Sequence, residues 1–377
     1  MLAPLCGLAL PSDAFGNVLT FVVMPCLNEA ALIEHAISSL GFSADNVSPP
    51  DTHLVLVDNG STDGTVCILK RMQQSSPSCF HLFTESTRGY VPPRRKGVVS
   101  AQALASAMGA SPGSVLILQA DADTIYKRGY VAAMQAAADV GVGIMLEGAT
   151  RCPSDFEASH PSYVAAERIV DAEMEHLDAA DEDEVVVDDK VCGYRLSDYL
   201  SWGGLFDEVT ATGDPINAET TRLYIRAKLM HGAQKVRVNP AGAASSRRKI
   251  LDNPRLHYST VGFPREASWV SERFKHVDRN NLEVEIDAFS EKVLQGREPD
   301  AIYLRRAHQL ALFRYLPSLV AVGLNPATLS EIPLDVAKVL DVLGPRSREE
   351  LARAPGLVLV ELLQLIDERP MLFIGDS

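Results

Sequence analysis

Four apolar runs recur about every thirty residues near the start of the chain. TFVVMP covers 20–25, HLVLVDN 53–59, FHLFTE 80–85 and SVLILQA 114–120. That interval is the size of a strand, a crossover helix and the next strand. The runs are apolar at consecutive positions, not alternate ones, which marks strands covered on both faces of a parallel sheet. Between them, EAALIEHAISSL (29–40), TVCILKRM (65–72) and RRKGVVSAQALASAM (94–108) are helix-compatible. The pattern predicts an α/β, doubly wound and mainly parallel sheet of Rossmann type over roughly the first 150 residues.

The pattern then changes. SYVAAERIVDAEMEHLDAA (162–180) reads as a helix, and DEDEVVVDDK (181–190) sets six acids around three valines. The second segment is expected to be a solvated loop around a short strand. ETTRLYIRAKLMHGA (219–233) is a helix with a glycine stop, and QKVRVNP (234–240) a late strand. From about 250 the chain is mostly helical, punctuated by GREP, GLNP, LGPRS and RAPG. The expected organisation is a tail over 1–17, a main domain over 18–250 and a helical region over 251–377, with no internal repeat.

Of the 377 residues, 46% are hydrophobic, and mean hydropathy is near zero, which suits a globular chain with a substantial core. A net charge of -14 argues against a nucleic-acid partner. Cys6, Cys26, Cys67, Cys79, Cys152 and Cys192 show neither CxxC nor zinc spacing, as expected of reduced thiols in the cytoplasm. MLAPLCGLAL lacks a basic start and is broken by Pro4, so it is read as a tail and not a signal peptide. No apolar stretch reaches the ~20 residues of a membrane span.

In open parallel sheets, ligands bind beyond the carboxyl ends of the strands. Here those ends are polar: PCLNEA after the first run, VDNGSTDGT after the second and DADT after the fourth. Asp121 and Asp123, one residue apart, repel each other and resist desolvation, so a cation is expected between them. A calcium loop is excluded, because Ile125 and Tyr126 stand where a ligand and a glycine are needed. No GxGxxG follows the first strand, which excludes a dinucleotide site.

VVMPCLNEAALIEHAISSL, LVLVDNGSTDGT, RGYVPPRRKGVVSA and LILQADADT together resemble the family 2 glycosyltransferases of the GT-A fold, over roughly residues 18–250. The resemblance implies a nucleotide-sugar half at about 18–125 and an acceptor half at about 126–250. It implies a UDP- or GDP-sugar donor, a hydroxyl acceptor, and Mn²⁺ or Mg²⁺ on the donor diphosphate. Asp123 would be the metal ligand, with Asp121 facing the ribose or the metal's water shell. Asp58 would accept a hydrogen bond from the base, and Pro25, Asn28 and Glu29 would approach the nucleoside. Arg94 and Arg95 match the family's basic residue near the donor, and Arg247 and Arg248 a later arginine that reaches the diphosphate. CGYRLSDYLSWGGL (192–205) resembles the acceptor segment, with Trp202 and Gly203 as a sugar platform.

One departure matters. The family places a Glu-Asp pair at the start of the helix after the acceptor segment, and its Asp is the general base. Here the pair falls on Glu219 and Thr220. Glu219 is expected to take the role, with Asp214 of TGDPIN as the second candidate. The alternatives are a retaining or non-catalytic relative. A phosphatase of the haloacid dehalogenase type is suggested by DADT and the terminal FIGDS. Its nucleophile strand would normally come first, however, not fourth. The helical C-terminal region is left open between shaping the acceptor site, docking a partner and forming a homo-oligomer.

Overall fold

The four runs form four parallel strands. The computed structural model describes residues 18–42, 51–75, 78–138, 141–180, 182–261 and 286–373; the expected tail and the last four residues, including most of FIGDS, lie outside these. The strands are β1 (Leu19–Cys26), β2 (Thr52–Asp58), β3 (Phe80–Thr84) and β4 (Val115–Gln119). Val22 lies opposite Leu54 and Phe21 opposite Ile117. Successive side chains alternate between faces. Phe21, Val23, Val55 and Val57 pack toward helix α3 (Val91–Ala107). Val22, Met24, Leu54 and Leu56 pack toward α1 (Ile33–Ser39) and α2 (Thr65–Ser75). Both faces are therefore covered, as the unbroken apolar runs require.

Helix α3 lies close to the sheet because residue 97 is glycine. A Cβ there would come within 2.3 Å of Val23 Cγ1. That approach sets the height of Arg94, one turn earlier, beneath the strand ends. The first helix begins at 33, not 29, because Asn28 is left-handed (φ 57°) and residues 28–32 turn back against the loop after β2.

The rest of the sheet is mixed. β5 (Thr124–Tyr126), β6 (Ile144–Arg151), β7 (Cys192–Arg195) and β8 (Gln234–Ser245) complete the order β3-β2-β1-β4-β7-β6-β8-β5. β7 runs antiparallel to β4 and β6, and β5 antiparallel to β8. β8 passes the expected stop at Pro240 because the proline sits in a bulge. Gly148 faces Val238, but Ala149 faces Gly242, so the proline needs no ladder donor. Over its described residues, 182–190, the acidic run contains no strand. Residues 184–188 are irregular, and a single 3-10 turn spans Asp189–Val191.

The helical C-terminal region shares a core with the sheet. After α4 (Tyr130–Ala137), α5 (Ser154–Ser159), α6 (Pro161–Met174) and α7 (Leu196–Ser201), helix α8 (Glu219–His231) joins one apolar cluster that runs from Phe21 through Leu223 and Leu229 to Leu359 and Phe373. Its long helix changes to π form over Leu310–Tyr315, just before Pro317. Pro317 has no N–H for the Phe313 carbonyl, which instead accepts from Ala179 N at 2.7 Å. One close approach to α8 is at Gly356, in helix Pro355–Glu368. Its N–H donates to Glu208 Oε2 (2.8 Å), while Glu208 Oε1 accepts from Arg222 (3.0 Å). A Cβ at 356 would come within 2.6 Å of Glu208 Oε2 and 2.7 Å of Arg222 Cδ. Alanine normally stabilises a helix interior relative to glycine. Gly356→Ala is expected to do the reverse and cost about 1–3 kcal/mol through overpacking, read as a lower urea midpoint. An unchanged or higher midpoint would show that the C-terminal helix does not press on α8.

Candidate active site at the strand ends

The loops after β1 and β2 are tied into one unit. Asn28 N donates to Ser61 Oγ (3.0 Å), and Asn28 Oδ1 accepts from Thr62 N (2.8 Å). Glu29 N donates to Thr65 Oγ1, and Ala30 N to Asp63 Oδ2. Asp58 is buried at the tip of β2, its two oxygens held by Gly60 N (3.2 Å) and Ser61 N (3.1 Å). Asn59 Nδ2 fastens the same corner to the carbonyls of Glu85 and Thr87. Pro25 lies in the part of β1 that extends past its last partner on β4. The result is a cradle, rigid before any ligand arrives, at the carboxyl ends of two parallel strands.

The DADT turn is pinned from two sides. Asp123 O accepts from Ser246 N (2.9 Å), and the Thr124 and Ser245 hydroxyls meet at 3.1 Å, which joins it to the end of β8. The Tyr126 hydroxyl accepts from Asp121 N and donates to Lys190 O, both at 2.9 Å. One phenol thus joins the turn to the acidic segment.

Beneath the turn lies Arg94, only 4% exposed in its side chain. Its Nη2 donates to Asp121 Oδ1 (2.7 Å) and Asp189 Oδ2 (2.8 Å), and its Nε to Glu219 Oε1 (2.8 Å). Nη1 is 3.3 Å from Gln119 Oε1, and Gln119 Nε2 donates to Tyr194. One guanidinium thus meets three carboxylates, a formal surplus of negative charge. Burial opposes the charge on Arg94, but Asp189, Asp121 and Glu219 outweigh it and hold the guanidinium protonated. Burial raises the Glu219 carboxyl, with Arg94 pulling the other way. Burial likewise pushes Asp121 up to about 6, only partly offset by Arg94. Lys190 is pushed up to about 12, as Asp188 and Asp189 overcome its burial.

Two sequence expectations meet a different geometry. Arg94 was expected on the donor phosphates, but its donors are committed to carboxylates, so it shapes the site from below. Glu219 was expected to face an acceptor hydroxyl, but its side chain is 3% exposed and paired with Arg94. Asp214 accepts from Thr212 Oγ1 (2.8 Å) within its own turn. Arg95, half-exposed, pairs with Asp207 (2.9 Å). Arg247 pairs with Glu167 and lies over the Phe156 ring, away from the cradle residues. Arg248 does reach the strand ends: it pairs with Glu29 and lies 3.8 Å from Asp123 Oδ2.

Trp202 corrects the expected sugar platform. It is 2% exposed and sits edge-on to Tyr194 in the core, with no ring face open to a ligand. Gly203 and Gly204, both left-handed, reverse the chain so that Arg226 donates to Trp202 O (2.6 Å) and stacks on Phe206 (4.3 Å). Sequence reasoning missed Asp189, Lys190 and Tyr126. The available signal was the valines inside the acidic run. Val185 and Val187 are buried, and they draw the run against α8, where Thr221 Oγ1 accepts from Val187 N (3.0 Å).

The family model described as glycosyl transferase family 2 matches residues 21–195. Over these residues the chain is similar to glycosyl transferase family 2. The matched segment runs from β1 to the end of β7 and so contains the cradle, the DADT turn and Asp189. Succinoglycan biosynthesis protein ExoA of Rhizobium meliloti (strain 1021) is 37% identical over 71 residues, 19% of this chain and 21% of that protein. The match thus spans about a fifth of the curated relative. Among solved structures, the mannosyltransferase PcManGT from Pyrobaculum calidifontis in complex with GDP-Man and Mn²⁺ aligns over 93% of this chain and 87% of its own, at 17% identity and TM-score 0.46. S. aureus TarS 1-349 aligns over 93% and 91%, at 13% identity and TM-score 0.44. Among the described residues, no helix is long and apolar enough to cross a membrane.

The charge surplus carries a pH signature. The folded chain keeps the Asp121 proton to higher pH than the unfolded chain does, where the pKa is about 3.9. This carboxyl therefore costs stability progressively from about pH 4 to 6, and fully above 6. Asp121→Asn removes that cost while leaving Arg94 two carboxylates. It is expected to raise the thermal midpoint by roughly 1–3 °C at pH 7.5 and to leave it nearly unchanged at pH 4. A lower midpoint at pH 7.5 would contradict the surplus.

Proposed function

We propose that the chain is a glycosyltransferase that moves a sugar from a nucleoside diphosphate to an acceptor hydroxyl, using Mn²⁺ or Mg²⁺. The observation that carries this reading is the meeting of three polar strand ends in a family 2 domain. Two supply a preformed cradle at Asn28 and Asp58, and the third presents two aspartates above a cluster with excess negative charge. Asp58, fixed by two backbone N–H groups, accepts from the base of a uridine or guanosine donor. Arg248 is the arginine for the diphosphate, since it alone of the four expected arginines stands beside Asp123.

The residues fit a divalent cation shared with its substrate. Asp121 and Asp123 offer hard oxygens, and no group of three or more acids, histidines or cysteines encloses a metal among the described residues. A cation such as Mg²⁺ is commonly held by one or two carboxylates, with substrate phosphates and water completing the shell. Asp123 would hold it directly, with Asp121 facing the ribose or the metal's water shell. Bound there, it would neutralise the charge that gathers on the diphosphate as the glycosidic bond breaks. The Asp121 backbone, held by Tyr126, keeps the two carboxylates in register, and the sealed Arg94 layer excludes water from below. An acceptor hydroxyl attacking in line from the acceptor half inverts the anomeric centre. The described cysteines are free thiols, which suits the cytoplasm as its location.

The test is a thermal-shift screen of UDP-glucose, UDP-N-acetylglucosamine and GDP-mannose, with and without Mn²⁺. One donor is expected to raise the midpoint by about 3–8 °C only when metal is present, and Asp123→Ala should abolish the rise. A shift that survives that substitution, or needs no metal, would rule out the cation site.

A further inference from the structure

The family's usual base position is Thr220, and Thr220 has no carboxylate to offer. It is 1% exposed, with its hydroxyl buried and, among the described residues, unpartnered. Glu219 beside it is sealed under Arg94. If transfer occurs here, the acceptor's proton needs another destination. Of the three carboxylates on Arg94, Asp121 belongs to the DADT turn and Glu219 is closed to solvent. Asp189 is the third, and its side chain is 35% exposed.

Asp189 is placed by its neighbours from every side. Tyr126 donates to the carbonyl of Lys190 and accepts from Asp121 N, so the backbone after Asp189 is fixed against the donor-side turn. Thr221 of α8 holds Val187 through both its N–H and its carbonyl, so the backbone before Asp189 is fixed against the helix that lacks the family Asp. Asp188 is committed elsewhere: Oδ1 accepts from Lys190 Nζ and Oδ2 from Thr150 (2.6 Å). Asp189 gives Oδ2 to Arg94, and among the described residues no hydrogen bond engages its Oδ1. Its carboxylate shares Arg94 Nη2 with Asp121, which places it beside the proposed donor site on the acceptor side.

We propose that Asp189 is the general base of the transfer, the loop before β7 supplying the carboxylate that α8 lacks; this rests on the transferase reading above. The acceptor O–H gives its proton to Asp189 Oδ1 as its oxygen bonds to the anomeric carbon. The bond from that carbon to the β-phosphate oxygen breaks, and its electron pair leaves on the nucleoside diphosphate. Asp189 then passes the proton to water. Glu219 acts as a positioning residue, holding Arg94 so that Nη2 orients Asp189.

The experiment follows nucleoside diphosphate release from the three donors with Mn²⁺, to water or to a supplied acceptor, for the wild type, Asp123→Ala, Asp189→Asn and Glu219→Gln. Asparagine keeps the hydrogen bond to Arg94 but takes no proton. Asp189→Asn is expected to lower kcat at least about 100-fold, the usual weight of a general base. Donor KM and the metal-dependent thermal shift should stay as in the wild type. Asp189→Asn turnover close to that of the wild type, with Glu219→Gln falling about 100-fold, would assign the base to Glu219 and overturn the proposal. So would a loss of the donor-induced shift in Asp189→Asn, which would make Asp189 a structural prop. Wild-type chain that releases no diphosphate from any donor, or Asp123→Ala that matches the wild type, would fail the transferase reading itself and the base with it.

Discussion

The guanidinium of Arg94 is the contact on which the site depends. It lies below the carboxyl ends of the strands and touches carboxylates from three segments: the turn after β4, the turn before β7 and the first residue of α8. Burying a lone guanidinium would cost several kcal/mol, and removing one partner of a buried pair typically costs about 3–5 kcal/mol. Three acids more than compensate one base, so the cluster is stable but over-supplied with negative charge. The same arrangement holds the two halves of the domain together and leaves an electrostatic demand at its rim. The proposed cation would meet this imbalance.

Arg94 reaches that point because α3 can sink onto β1 at Gly97. The segments around it are fastened by neutral hydrogen bonds, chiefly through Tyr126, Gln119 and Thr221. Such bonds carry no charge to be screened, and a satisfied buried network favours one geometry. The C-terminal helices contribute from the far side. They share the core of α8 and meet Glu208 and Arg222 through Gly356, so the helix that begins with Glu219 is braced along its length.

The parallel half of the sheet was legible in the sequence because its strands are continuous apolar runs, each ending in polar residues that local turn chemistry explains. Asp58, Asn28 and the DADT aspartates stand where that logic puts them. The mixed half of the sheet was far less legible. β5 has three residues, β7 four, and β6 ends in exposed polar residues, so none carries a strong period. Trp202 next to two glycines looked like a ligand platform, but the ring packs on Tyr194, and the glycines serve a chain reversal. The acidic run looked solvated because charge count outweighed three valines. In the fold, two of those valines are buried and bring Asp189 and Lys190 to the site.

By itself the sequence determined the parallel α/β half, the strand ends that bear its polar residues, and the pairing of Asp121 with Asp123. Those properties follow from residue type and local spacing, which need no partner from elsewhere in the chain. Only the tertiary structure decided what Arg94 does, that Glu219 is sealed, and that Asp189 stands beside Asp121. Those three depend on segments 27 to 125 residues apart along the chain coming within hydrogen-bonding distance. Whether a charged side chain ends as a ligand, a brace or a base is set by burial and by which opposite charges surround it, and both are properties of the packed molecule.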